Sequence, residues 1–84
     1  MDMLDELKNA QNKVVGLKQL LRELEADNVV CVFVADDAEV HLKEKISTAV
    51  PGGHVKIAAV ESMDKLGETC GIEVGAACAG ILKK

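Results

Sequence analysis

Apolar residues recur along the chain in two patterns, one spaced at helical intervals and one in unbroken runs, and their alternation divides the chain into helices and strands. Residues 3–11 place Met3, Leu4, Leu7 and Ala10 on one side, with Asp2, Asp5 and Glu6 near the start, where a helix dipole favours acids. Asn12-Lys13 breaks that pattern, Val14-Val15 predicts a brief strand, and Gly16 permits a sharp turn. Leu17, Leu20, Leu21 and Leu24 then follow at i, i+3, i+4 and i+7, predicting an amphipathic helix that ends near Ala26, before a turn at Asp27-Asn28. Val29-Val30-Cys31-Val32-Phe33-Val34 is a continuous apolar run and predicts a central strand covered on both faces.

Asp36 or Asp37 is expected to cap the next helix, which turns Ala38, Leu42, Ile46, Ala49 and Val50 inward and stops at Pro51-Gly52-Gly53. A second apolar strand is expected from His54 to Val60. Ser62 should cap a short helix carrying Met63, Leu66 and Cys70, with Gly71 as the left-handed residue after it. Residues 74–82 complete the series as a strand whose small residues Gly75, Ala76, Ala77, Ala79 and Gly80 let helices sit close. Alternating strands and helices with short links predict one α/β layered domain with right-handed crossovers. Neither an internal repeat nor a linker interrupts the 84 residues, and with 1% aromatics the core must be built from Val, Leu, Ile and Ala.

Charge and chemistry narrow the function. The net charge is −4 and uneven: residues 1–42 hold four bases and nine acids, residues 43–84 six bases and five acids. The chain has no polybasic block, which argues against non-specific phosphate binding and leaves room for a local patch. No apolar run is long enough to span a bilayer, and Met1-Asp2-Met3-Leu4-Asp5-Glu6 lacks the basic start of a signal peptide, so a cytoplasmic protein without a membrane partner is expected. Cys31, Cys70 and Cys78 are odd in number and lack C-x-x-C spacing; they read as buried free thiols, not as a disulfide framework or zinc site. His41 and His54 have no Ser, Cys or carboxylate at a spacing that suggests a triad or a metal site. Pro51-Gly52-Gly53-His54 precedes a strand, whereas phosphate loops precede a helix, so it reads as a turn. Asp36-Asp37, Glu23 and Glu25 read as caps and solvated faces. A non-enzymatic protein without cofactor is expected.

Two stretches stand out. The apolar stripe of the Leu17 helix forces Lys18, Gln19 and Arg22 onto a common solvent face, with bases in the first turn where acids are usual. Either Arg22 and Gln19 pair with Glu25 and Glu23 as ordinary surface residues, or an outside anion completes the patch. In Gly71-Ile72-Glu73-Val74-Gly75 two apolar residues fall in a tight connection, where polar residues are normal. They either fold inward, the commoner outcome, or form an exposed lip.

Val15-Gly16-Leu17-Lys18-Gln19 opening a helix, Val34-Ala35-Asp36-Asp37-Ala38 after the central strand, and Val60-Glu61-Ser62-Met63-Asp64-Lys65-Leu66-Gly67 leading into Cys70-Gly71-Ile72-Glu73-Val74-Gly75-Ala76-Ala77 together resemble the kink-turn RNA-binding ribosomal-protein family. The chain is most similar to the small bacterial relatives of archaeal ribosomal protein L7Ae. The resemblance implies a three-layer α/β/α sandwich around a four-stranded mixed sheet. It also implies binding to a kink-turn, a bulged RNA duplex bent sharply beside tandem sheared G·A pairs, in ribosomal or riboswitch RNA, by a monomer. On that likeness Gly16 opens the recognition helix, Lys18 and Gln19 take the base-reading positions that look like Asn-Glu in archaeal members, and Arg22 is the basic residue one turn on. Ile72, Glu73, Val74, Gly75 and Ala76 would cover the bases splayed from the bulge. Glu25, Ala26 and Glu68 depart from the family by standing where bases are expected, and Leu17 and Leu20 by standing where a hydroxyl residue is common; these imply either a reduced affinity or a narrower footprint. The other reading is a protein-interaction or structural module on the same fold with weakened or lost RNA binding.

Overall fold

The computed structural model describes residues 3–50 and 55–83, and within them helices and strands alternate. The elements are α1 (Met3–Asn9), β1 (Lys13–Val15), α2 (Leu17–Glu25), β2 (Val29–Ala35), α3 (Val40–Ala49), β3 (Lys56–Val60), α4 (Met63–Cys70) and β4 (Cys78–Leu82). The strands form one sheet in the order β1-β4-β2-β3. β2 and β3 run parallel, while β4 lies antiparallel to both of its neighbours, β1 and β2, so the sheet is mixed as expected. The turn expected at Pro51-Gly52-Gly53, the strand start at His54, and the placements of Asp2 and of the Met3 side chain lie outside the described residues.

Side chains of β2 alternate between two apolar cores, one on each face of the sheet. Cys31, Phe33 and Ala35 pack with Leu7 of α1 and with Leu66 and Cys70 of α4. Val29 and Val32 pack with Leu20 and Leu24 of α2 and Ile46 of α3. The alternation slips once, where the register against β4 shifts between Val29 and Cys31. Val30 is the extra residue of that irregularity and stays exposed, which lets Val29 face the α2/α3 layer out of phase with the rest of the strand. The small residues of β4 serve close approach: a Cβ on Gly80 would stand 2.7 Å from Leu20 Cδ1, so α2 lies directly on this position.

Several boundaries differ from the expectations, each because a backbone group finds a distant partner. α1 stops at Asn9, and the Lys13 ammonium donates to the carbonyls of Leu7 and Lys8 at 3.3 and 3.4 Å, satisfying acceptors at the helix end. Asp36 and Asp37 do not cap α3, which begins at Val40 with Glu39 before it and no side-chain cap. Asp37 caps α4 instead: its Oδ1 accepts the Met63 N–H at 2.8 Å, across 26 positions of sequence. Ser62 Oγ accepts the Lys65 N–H at 3.1 Å and Gly71 is left-handed with φ +81°, both as expected. The last strand is shorter than 74–82. It starts at Cys78, because the Ala76 N–H donates to the Met63 carbonyl of α4 at 2.9 Å and not to a neighbouring strand.

Candidate functional site

Gly16 has φ +101° and ψ 153°, a backbone region that residues with a Cβ rarely enter. Its N–H donates to the Cys78 carbonyl at 3.0 Å and its carbonyl accepts the Leu20 N–H at 3.1 Å, so one residue turns the chain from β1 into α2 and fastens that turn to the start of β4. Among the described residues no side chain caps α2. The first-turn N–H groups of Leu17, Lys18 and Gln19 therefore point outward along the helix axis, where they present partial positive charge.

Lys18, Gln19 and Arg22 are exposed on one face of α2, while Leu20 and Leu24 are buried opposite. The surface pairings that would have explained them away are not made. Glu23 Oε2 accepts from Asn28 Nδ2 at 3.2 Å and not from Gln19. Among the described residues Lys83 forms an ion pair with Asp27 and His41 Nδ1 lies 4.0 Å from Glu44 Oε2, and neither contact involves Lys18, Arg22 or Glu25.

The connection from α4 to β4 opens at the same end of the sheet, since it leads directly into Cys78. Inward packing, the commoner expectation, does not hold for its two large apolar residues: Ile72 is 37% exposed and Val74 71%. Glu73 and Gly75 are exposed as well. Ala76, grouped with them by resemblance, is instead buried in the core beneath α4, and its methyl group anchors the loop. Backbone, not side chains, faces the helix here: the Ile72 N–H donates to the Gly67 carbonyl at 3.1 Å and Ala76 is tied to Met63. Gly67 was visible in the sequence only as part of a motif. The available signal was a glycine in the middle of a helix, where it is a poor helix former.

The described residues offer little for covalent chemistry. Burial pushes the Cys78 thiol up to about 11. Burial also raises the thiols of Cys31, helped by the charge of Glu6, and of Cys70. None is poised as a nucleophile. His41 lines a groove between α2 and α3 with Leu21, Glu25 and Lys45, and its partner is Glu44 at 4.0 Å on the open surface. Among the described residues no group of three or more His, Cys, Asp or Glu could hold a metal ion, and no helix is long and apolar enough to cross a membrane.

An α/β/α domain with an exposed basic helix start, tied through Gly16 to the strand that follows an exposed apolar loop, is thus defined by its geometry. The chain belongs to the ribosomal protein L7Ae/L30e/S12e/Gadd45 family, whose model matches residues 1–84. It is 40% identical over 78 residues to an RNA-binding protein of Bacillus pumilus (strain SAFR-032), covering 93% of this chain and 95% of that one. With the RNA-binding protein YbxF of Geobacillus stearothermophilus it shares 41% identity over 70 residues, 83% of this chain and 85% of the relative. In structure it resembles the Giardia lamblia 15.5kD RNA binding protein, with a TM-score of 0.88 over 98% of this chain and 72% of that chain; at 22% identity this likeness concerns the fold.

Proposed function

We propose that this chain is an RNA-binding protein that selects and holds the kink-turn. The observation that carries the reading is the Gly16 to Cys78 hydrogen bond at 3.0 Å, which ties the turn opening α2 to the start of β4, the strand into which the loop bearing Ile72 and Val74 leads. An intact A-form major groove is too narrow for side chains to read, so a helix terminus needs a duplex opened by distortion, and unstacked bases need an apolar cover. The two halves of this surface answer those needs separately. On this reading Lys18 and Gln19 meet base edges at the sheared G·A pairs, and Arg22, one turn on, meets the backbone. The outward N–H groups and cationic side chains favour the bent RNA, in which phosphates converge, over the extended form. Ile72, Glu73, Val74 and Gly75 form the covering face, with Ala76 as its buried footing. The cellular partner on this reading is a structured ribosomal or riboswitch RNA, bound by a cytoplasmic monomer.

The deciding experiment mixes the protein with a kink-turn hairpin and with a matched duplex lacking the G·A pairs. Preference for the kink-turn, together with a rise in the bent population measured by end-to-end energy transfer, is the expected result. Equal binding to both would reduce the activity to non-specific attraction. Absence of binding to either would leave a protein-interaction or structural module as the reading.

A further inference from the structure

The loop that carries Ile72 and Val74 lies flat on α4, and the contact between them has no room for a side chain. A Cβ built on Gly67 would collide with the Val74 carbonyl oxygen and would stand 3.1 Å from Gly75 Cα. Both obstacles are backbone, so no rotamer change relieves them; the loop or the helix has to shift. Gly75 repeats the arrangement more gently, since a Cβ there would meet Met63 Cβ at 3.2 Å. Two hydrogen bonds hold the loop at that depth, from the Ile72 N–H to Gly67 O at 3.1 Å and from the Ala76 N–H to Met63 O at 2.9 Å. Asp37 Oδ1 in turn fixes the Met63 N–H at 2.8 Å. With its backbone pressed to the helix, the loop turns the side chains of Ile72 and Val74 outward.

We propose that Gly67 is a positioning residue for RNA binding: its missing side chain sets the depth of the 72–76 loop on α4, and so lets the apolar lip and the first turn of α2 touch one RNA at once. The proposal rests on the RNA-binding reading above. A glycine in the middle of an eight-residue helix is otherwise unfavourable, since alanine is the better helix former there. A purely local demand at this position would select alanine, and the obstacle to alanine is the Val74 carbonyl.

The test is a double-mutant cycle on the whole chain. Gly67→Ala is combined with Ile72→Ser/Val74→Ser, and affinity for a kink-turn hairpin is measured at a temperature where every variant is folded by circular dichroism. Gly67→Ala alone is expected to weaken binding on the order of tenfold, within the range set by losing a base-covering contact. In the background without the lip it is expected to cost nothing further, because no side chain remains to be misplaced. Should Gly67→Ala fail to fold, Gly75→Ala displaces the same loop by a few tenths of an ångström and is expected to show the same non-additivity at smaller amplitude. Wild-type affinity in Gly67→Ala, or an equal loss with and without the lip, overturns the proposal while leaving the RNA reading intact. If the wild-type chain itself ignores the kink-turn, both fall together.

Discussion

A methyl group added at Gly80 should push α2 away from the sheet. Gly80 lies in β4, buried, with the Leu20 Cδ1 methyl occupying the space where its side chain would stand, 2.7 Å from an ideal Cβ. Leu20 is itself fully buried, so its terminal methyl has no open space to move into. Overpacking of this kind costs about 1 to 3 kcal/mol. Against it stands the smaller unfolded-state entropy of alanine, worth roughly 0.4 to 1 kcal/mol where the backbone suits it. Among the described residues the positive-φ glycines are Gly16 and Gly71, so Gly80 is not held in a conformation that alanine resists. The net expectation for Gly80→Ala is a loss of about 1 to 2 kcal/mol, and for a domain of this size each kcal/mol moves Tm by roughly 4 to 8 °C. Thermal unfolding followed by circular dichroism measures it. The decisive arm is Leu20→Val, which removes both δ-carbons, Cδ1 among them, moves the branch to Cβ and leaves one carbon fewer; it should cost on the order of 1 kcal/mol alone, the scale of one buried methylene. Combined with Gly80→Ala it should cost less than the sum, since the new methyl fills the vacated space. Additivity within about 0.5 kcal/mol would refute the packing account, because residues in contact are expected to couple more strongly than that.

Three further outcomes follow from the same geometry. Lys18→Ala or Gln19→Ala should each weaken kink-turn binding by about 1 to 3 kcal/mol, the scale of a lost base-edge contact, with Tm unchanged because both side chains are exposed; equal losses of binding and folding would make the patch structural. A footprint of one helix start and one apolar loop neutralises few phosphates, so log affinity should fall with log salt at a slope of only about −2 to −4. Reversing Glu25 and Glu68 to Lys should strengthen binding chiefly at low salt, and a steeper wild-type slope would point to a wider charged contact. The Cys78 thiol, ordinarily at 9.0, is raised to about 11 by burial, so above pH 9 the unfolded chain releases this proton while the folded chain keeps it. Stability from this group is therefore complete below pH 9 and is lost as pH rises toward 11; Tm should fall across that window, and Cys78→Ala should flatten the fall.

Features legible in the sequence are those whose cause is local. Ser62 and Gly71 bracket α4 because a cap and a left-handed residue act within one turn, and the Leu stripe of α2 fixes which face holds Lys18, Gln19 and Arg22. Asp37 illustrates the opposite case. Its spacing suggests a cap for the helix just after it, yet its carboxylate serves α4, a partner that only the folded sheet brings near. The stretch before Cys78 is apolar and rich in small residues, as a buried strand would be, but composition does not specify whether a backbone N–H meets a strand or a helix. Ile72 and Val74 were harder still. Hydrophobicity favours burial, and their exposure depends on Gly67 drawing the backbone inward in their place.

β4 has a consequence for how the protein comes into being. It lies between β1 and β2, and β1 has no other strand partner in the sheet. A ribosome makes the chain from its N-terminal side, so β1, α2 and the Gly16 turn emerge long before the residues that hold them. Until 78–82 have left the exit tunnel, the sheet is missing an interior strand and the helix start has no anchor. The binding surface should therefore not appear by degrees as the chain lengthens. It should arrive in one step with the last strand, and nascent chains stalled before Cys78 should bind no kink-turn, however complete their recognition helix.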